Sequence, residues 1–153
     1  MQVQFPILVY LRNCGQQTYG VGVARNFIEQ VLPSAPNVVI QLAHMADGCP
    51  GGYDSMTDEL IQAFVQAFAS GRLDRKNICF DLSGVAAAPF GVPEKMTQLV
   101  NRIHEIGLNQ ILFATDWPAP ISVGYQKQLR QNLGLELSEL QDIFDNVAPY
   151  LKR

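Results

Sequence analysis

Five side chains able to do chemistry recur along the chain at intervals of roughly 30 to 40 residues, the length of one βα unit. They are Arg12, His44, the pair Asp81 and Ser83, and Asp116. Imidazole and carboxylate groups move protons near neutral pH or hold divalent cations. A guanidinium grips a carboxylate with two parallel hydrogen bonds. Each residue also has a structural reading. His44 can be a hydrogen-bonded residue closing a strand, and Asp116, before Trp117-Pro118, can brace a turn through an Asx bond. Asp81 can bond a neighbouring loop, with Arg12 as its ion-pair partner.

The elements that must position these groups are four short apolar runs, Ile7 to Leu11, Val38 to Ala43, Ile78 to Leu82 and Ile111 to Ala114. Near-continuous hydrophobic blocks of this length suit strands of a parallel sheet covered on both faces. Helical spacing fills the intervals. Val23, Phe27 and Val31 recur four apart in a helix that runs to about Leu32 and is closed by Pro33. A second helix begins near Ser55, buries Leu60, Ile61, Phe64, Val65 and Phe68, and ends before Gly71. A third opens on Pro93, buries Met96, Leu99, Val100 and Ile103, and stops at Gly107. A weaker one spans about Ser122 to Leu133. The last starts with a capping box from Ser138 to Gln141 and presents Leu140, Ile143, Phe144 and Val147.

The order β-α-β-α-β-α-β-α-α predicts a parallel sheet with right-handed crossovers, in one domain covering 1–153. Loops after the strands then converge on one face. Residues two apart in a strand share a side, so Tyr10 goes with Arg12, Leu42 with His44, Asp81 with Ser83, and Ala114 with Asp116. Phe80, Leu82 and Phe113 fall on the opposite, helix-facing set. One rim is thus expected to gather the polar residues.

Composition narrows the function. The chain is 48% apolar and 16% charged, with 11 Lys and Arg against 14 Asp and Glu, a net charge of −3. That excludes disorder and gives no cationic surplus for nucleic acid. No apolar run approaches a membrane span and no secretory leader is evident, so a cytoplasmic protein is expected. Cys14, Cys49 and Cys79 read as reduced thiols. No phosphate loop, dinucleotide fingerprint or serine-nucleophile elbow is present. The glycine-rich 48–52 reads as a flexible lid, and His104 as a surface residue on a helix.

Four stretches resemble the amidohydrolase superfamily, in its amidohydrolase-2 branch of aminocarboxymuconate semialdehyde decarboxylase-like proteins. Gln41-Leu42-Ala43-His44-Met45 followed by Gly51-Gly52-Tyr53-Asp54 resembles the sixth-strand region, and Asn77 to Gly84 the seventh strand. Ile106 to Pro118 is similar to the eighth-strand signature G-x-x-(R/Q)-I-L-F-G-(S/T)-D-x-P, the most specific of the four. Ile143 to Ala148 resembles the closing I-x-x-x-N-A helix. The resemblance implies a half-barrel of about four βα units corresponding to strands 5–8 of a (β/α)8 TIM barrel. Asp116 matches the aspartate that binds metal and handles the proton of an activated water. His44 matches the histidine that polarises substrate or orients that water.

The implied cofactor is a divalent metal, zinc first, since a metal lowers the pKa of water to near neutrality. The implied substrate is a small carboxylate, lactone or amide, met by Arg12, Asp81 and Ser83, with either hydrolysis or decarboxylation as outcome. The family's first-strand histidines have no counterpart here, and its fifth-strand histidine aligns with Tyr10. A barrel of this type takes about 250 residues, so 153 residues are expected to need a complementing N-terminal half. The alternative is a non-catalytic half-barrel that self-associates or binds a small anion. Two open sheet edges and an apolar inner face lead to the expectation of a homodimer. An unrelated flavodoxin-like α/β domain is a third option, without the phosphate loop it would use.

Overall fold

The computed structural model of the protein describes residues 6–11, 20–46, 53–87, 92–116 and 124–151. Among these residues four strands, β1 (Ile7–Val9), β2 (Ile40–Leu42), β3 (Ile78–Asp81) and β4 (Ile111–Leu112), form one sheet. All neighbours are parallel and the order is β1-β2-β3-β4. Each strand lies beside its predecessor with no reversal of order, as in a barrel wall and unlike a doubly wound sheet. The strands are shorter than their apolar runs, because the sheet ends where the chain turns into the loops that carry the polar residues.

Among the described residues five α-helices accompany the sheet: α1 (Val21–Asn26), α2 (Ser55–Ala69), α3 (Pro93–Ile106), α4 (Tyr125–Asn132) and α5 (Leu137–Asp145). α2 packs between α1 and α3, so successive helices line one face of the sheet. Its start is fixed by Asp54, whose carboxylate accepts from Thr57 N at 2.8 Å and Thr57 Oγ1 at 3.0 Å. Its end falls at Gly71, whose φ of 70° is the left-handed value a Cβ would oppose. Leu60, Ile61, Phe64, Ala67 and Phe68 are buried along one stripe. Each such side chain contributes roughly 1.5–3 kcal/mol of transfer free energy. Phe64 meets Phe80 of β3 edge-on, with ring centroids 5.5 Å apart.

The first helix departs from its spacing. α1 ends at Asn26 and a π-turn, Phe27–Val31, follows, closed by Leu32 N–H donating to Phe27 O. A π-turn adds a residue to the repeat. Leu32 therefore takes the inward place that an α-helical repeat gives Val31; Leu32 is buried and Val31 is exposed. The last helix also differs. Its capping box joins Glu136 to Glu139, two residues before the expected Ser138–Gln141. Val147 lies past its end and is exposed. α4 begins at Tyr125; the expected start at Ser122 lies outside the described residues.

Strand register sorts the side chains by face. Ile40, Ile78 and Leu42, Phe80 are paired levels, with Ile111 beside Phe80, and all are buried in the main core against the helices. The other face carries Leu8, Gln41, Cys79, Asp81 and Leu112. Cys79, Leu112 and Ala148 make a second, small apolar cluster there. The C-terminal turn Pro149–Leu151 thus lies over this inner face, and Tyr150 hydroxyl donates to Gln41 Oε1 at 2.6 Å. At β1 the face stays open, with Leu8 and Tyr10 each about half exposed.

Candidate active site at the strand rim

The rim begins with a buried carboxylate at the end of β3. Asp81 is 2% exposed and accepts from four donors among the described residues. Its Oδ1 receives His44 N–H at 3.0 Å, Ser83 N–H at 3.1 Å and the Ser83 hydroxyl. Its Oδ2 receives the Gln41 amide at 2.7 Å. A buried carboxylate is tolerated only with its lone pairs occupied, and here every donor comes from β2, β3 or the turns that follow them.

His44 is fixed by the same cluster. Its Nδ1 lies 2.7 Å from Ser83 O. A carbonyl only accepts, so Nδ1 carries the hydrogen. Ser83 Oγ, whose own hydrogen goes to Asp81, shares that Nδ1–H at 2.9 Å. The neutral ring therefore has its lone pair on Nε2, and Nε2 faces Asp116 Oδ1 at 3.7 Å. That separation exceeds a direct hydrogen bond. Two acceptors face one another across a gap too wide for a shared proton and wide enough for a cation between them.

Both residues sit on left-handed backbone. His44, Met45 and Ala46 have φ of 53°, 53° and 67°, and Asp116 has 56°. Such conformations cost of order 1–3 kcal/mol each and persist where surroundings over-determine them. Here Met45 and Ala46 are fully buried, and His44 N–H is held by Asp81.

The turn also corrects the expected alternation. Register pairs Leu42 with Phe80, on the helix side, so plain alternation sends His44 there too. The left-handed turn carries it to the Asp81 side instead. Tyr10, from the end of β1, places its ring 5.4 Å from that of His44. Burial, and then the negative charges of Asp116 and Asp81, hold its phenol above the ordinary range, so it stays a donor.

The loop carrying Ser83 has its own anchor. The Tyr125 hydroxyl donates to Leu82 O and accepts from Ala86 N at 3.2 Å, and Asn132 donates to Ala86 O at 2.9 Å. Asn146, of the closing helix, donates to Leu108 O at 2.8 Å and Ile111 O at 2.9 Å. It ties α5 to the start of β4 and so to the strand that ends at Asp116. His104 is a surface residue on α3, bonded to Glu139 at 2.7 Å.

The structure thus brings His44, Asp81, Ser83 and Asp116 together. Arg12, Cys14, Cys49 and the glycine-rich 48–52 lie outside the described residues. Tyr10 stands at the rim, on the face its alternation with Arg12 predicts, and Gln41 joins the site without having been singled out for it. Gln41 was detectable as the one polar residue inside an apolar strand.

A catalytic zinc takes three protein ligands. Among the described residues, no three His, Cys, Asp or Glu side chains converge. His44 and Asp116 therefore supply only two of the donors and do not hold such a metal tightly by themselves.

No family model and no curated protein matches the chain. Among solved structures, it is similar to 2,6-dihydroxybenzoate decarboxylase complexed with 2,6-dihydroxybenzoate, at 20% identity and a TM-score of 0.49. That match covers 81% of this chain and 37% of the other. The 2,6-dihydroxybenzoate decarboxylase from Rhizobium is similar at 20% identity, covering 81% and 38%, with a TM-score of 0.47. Dihydroxybenzoic acid decarboxylase from Polaromonas sp. JS666, with bound manganese and the inhibitor 2-nitroresorcinol, is similar at 19% identity, covering 80% and 36%, with a TM-score of 0.42. The chain spans well under half the length of each. No helix among the described residues is long and apolar enough to cross a membrane.

Proposed function

We propose that His44 and Asp116 are the acid–base half of an amidohydrolase-type enzyme site. It acts on a small carboxylate, lactone or amide by hydrolysis or decarboxylation. A second body, either another copy or a complementing N-terminal half, supplies the remaining ligands for a divalent metal, zinc or manganese. The observation that carries this reading is the His44 Nε2 lone pair facing the Asp116 carboxylate at 3.7 Å.

Within the half-site, each residue has a task. His44 Nε2 takes up a proton, and Asp116 holds the resulting imidazolium. The Nδ1–H bond to Ser83 O keeps Nε2 the free nitrogen. Tyr10 offers a hydrogen bond to an anionic group beside the ring, and Arg12, at the end of the first strand run, is suited to a substrate carboxylate. Asp81 and Ser83 are buried and use their hydrogen bonds inside the protein. In this reading they position His44 and do not meet the substrate.

Calorimetric titration with Zn2+ and with Mn2+ tests the half-site. Weak, saturable binding by the chain alone, abolished by both His44→Ala and Asp116→Asn, is expected. Binding indifferent to either substitution overturns the assignment. The two-donor count favours a second reading, a non-catalytic half-barrel, and no saturable binding at any loading supports that one.

The second reading, and the first where another copy completes the site, expects a homodimer. Among the described residues β1 and β4 are the outer strands, and Ile7 and Leu8 of β1 are 47% and 52% exposed. Open edges and apolar faces of this kind are covered in stable proteins. A second copy about a two-fold axis can set each β1 beside the other's β4. Light scattering at micromolar concentration should give twice the 17.0 kDa of one chain. The mass of a single chain removes this proposal.

A further inference from the structure

We infer that Tyr150 is a positioning residue for His44, acting through Gln41 and Asp81, so that the C-terminal turn sets the ring that faces Asp116. The inference rests on the half-site reading above and adds to it a control point in the turn that lies over the sheet's inner face.

The connection is a continuous run of hydrogen bonds with one permitted polarity. Asp81 Oδ2 accepts, so the Gln41 atom at 2.7 Å is the amide nitrogen, and Oε1 points the other way. Gln41 Oε1 can then only accept, and the Tyr150 hydroxyl, 2.6 Å away, donates to it. Burial, followed by the nearby Cys79 and Asp81, holds the Tyr150 phenol above its ordinary range, which keeps its hydrogen in place at neutral pH. Beyond Asp81 the run divides. Oδ1 holds His44 N–H and both polar hydrogens of Ser83, and Ser83 O in turn holds His44 Nδ1–H.

Among the described residues, Gln41 alone holds Asp81 Oδ2 and Tyr150 alone holds Gln41 Oε1. Removing the Tyr150 hydroxyl frees the Gln41 amide to turn. The carboxylate then loses its restraint at Oδ2 and can rotate, loosening three bonds at Oδ1 together. Hydrogen-bonded chains transmit such a loss because each member polarises the next. The contact spans 109 residues of sequence and joins the last turn of the chain to its second strand.

The test is NMR of the His44 ring in uniformly 15N-labelled protein at fixed pH, well below the unfolding temperature. The wild type should show the Nδ1–H tautomer, with a ring hydrogen that exchanges slowly with water. Tyr150→Phe removes only the hydroxyl, and should speed that exchange about fivefold relative to core amides such as that of Phe64. Fivefold is the factor carried by a hydrogen bond of ordinary net strength.

Gln41→Leu should speed it further. Leu151→Ala, an exposed position in the same turn, should leave it unchanged. An unchanged rate in Tyr150→Phe overturns the role of Tyr150 and leaves the half-site intact. An equal acceleration by Leu151→Ala overturns it too, since packing of the turn and not the hydroxyl would then be responsible. A wild-type ring with its hydrogen on Nε2 removes the half-site reading itself.

Discussion

Asp81→Ala is expected to destabilise the protein by about 3–4 kcal/mol, because it orphans donors that have no water to turn to. His44 N–H, Ser83 N–H and the Gln41 amide all point at this one carboxylate, which is 2% exposed. The Ser83 hydroxyl can rotate to another acceptor; the two backbone groups cannot. For a chain of this size such a loss lowers the melting temperature by about 10 °C. The left-handed run from His44 to Ala46 also loses its restraint, so the His44 ring should become mobile in the same variant.

Asp81→Asn makes the argument sharper. Its oxygen can keep the three donors at the Oδ1 position, while its NH2 meets Gln41. A flip of the Gln41 amide restores that contact, with Tyr150 hydroxyl turning from donor to acceptor. Asn should therefore cost clearly less than Ala, about 1–2 kcal/mol. Chemical denaturation of the three proteins checks this. Equal losses for Ala and Asn would mean that charge, and not the count of satisfied donors, dominates at this position.

The architecture was legible because it rests on periodicity. Apolar blocks at regular intervals gave the four strands, and the stripes of α2 and α3 gave their helices with their true ends at Gly71 and Gly107. What escaped was whatever depends on one local exception. The π-turn after Asn26 moves the buried place from Val31 to Leu32, and no residue type in Phe27–Val31 announces it. The capping box uses Glu136, which ranks below serine as an N-cap, so local pattern pointed to Ser138.

The site shows the same division. Spacing places Arg12, His44, Asp81, Ser83 and Asp116 at one rim, and the four that lie among the described residues meet there. The route that brings His44 to Asp81 was not legible, since three consecutive non-glycine residues at positive φ run against their intrinsic preference. Tertiary bonds to Asp81 impose that turn. The contact of Tyr150 with Gln41 carries no sequence signal at all, because nothing local links positions so far apart.

Away from the rim, breaking the Asp58–Arg102 pair is expected to have the next largest effect. Arg102 of α3 grips the Asp58 carboxylate of α2 with Nε at 2.8 Å and Nη2 at 2.9 Å, and the Tyr53 hydroxyl donates to the same group. The two side chains are only 17% and 23% exposed, so solvent screens them weakly. Arg102→Met leaves a half-buried carboxylate with one partner and should cost about 2–3 kcal/mol.

The guanidinium hydrogen bonds hold the Asp58 carboxyl below its ordinary value, with Tyr53 assisting and burial opposing. A folded-state pKa below the unfolded one gives stability that is complete above the ordinary carboxylate range, about 3.9. That stability is lost as pH falls through the lowered folded value. Stability measured from pH 7 downward should therefore fall more steeply for the wild type than for Asp58→Asn once the pH passes below about 4. Asp74 and Glu139, lowered chiefly by the backbone N–H groups of Lys76 and Glu136, leave a residual acid limb in both proteins. Parallel acid limbs for the two would show that Asp58 titrates alike in the folded and unfolded chains, and that the bridge between α2 and α3 adds no pH-dependent stability.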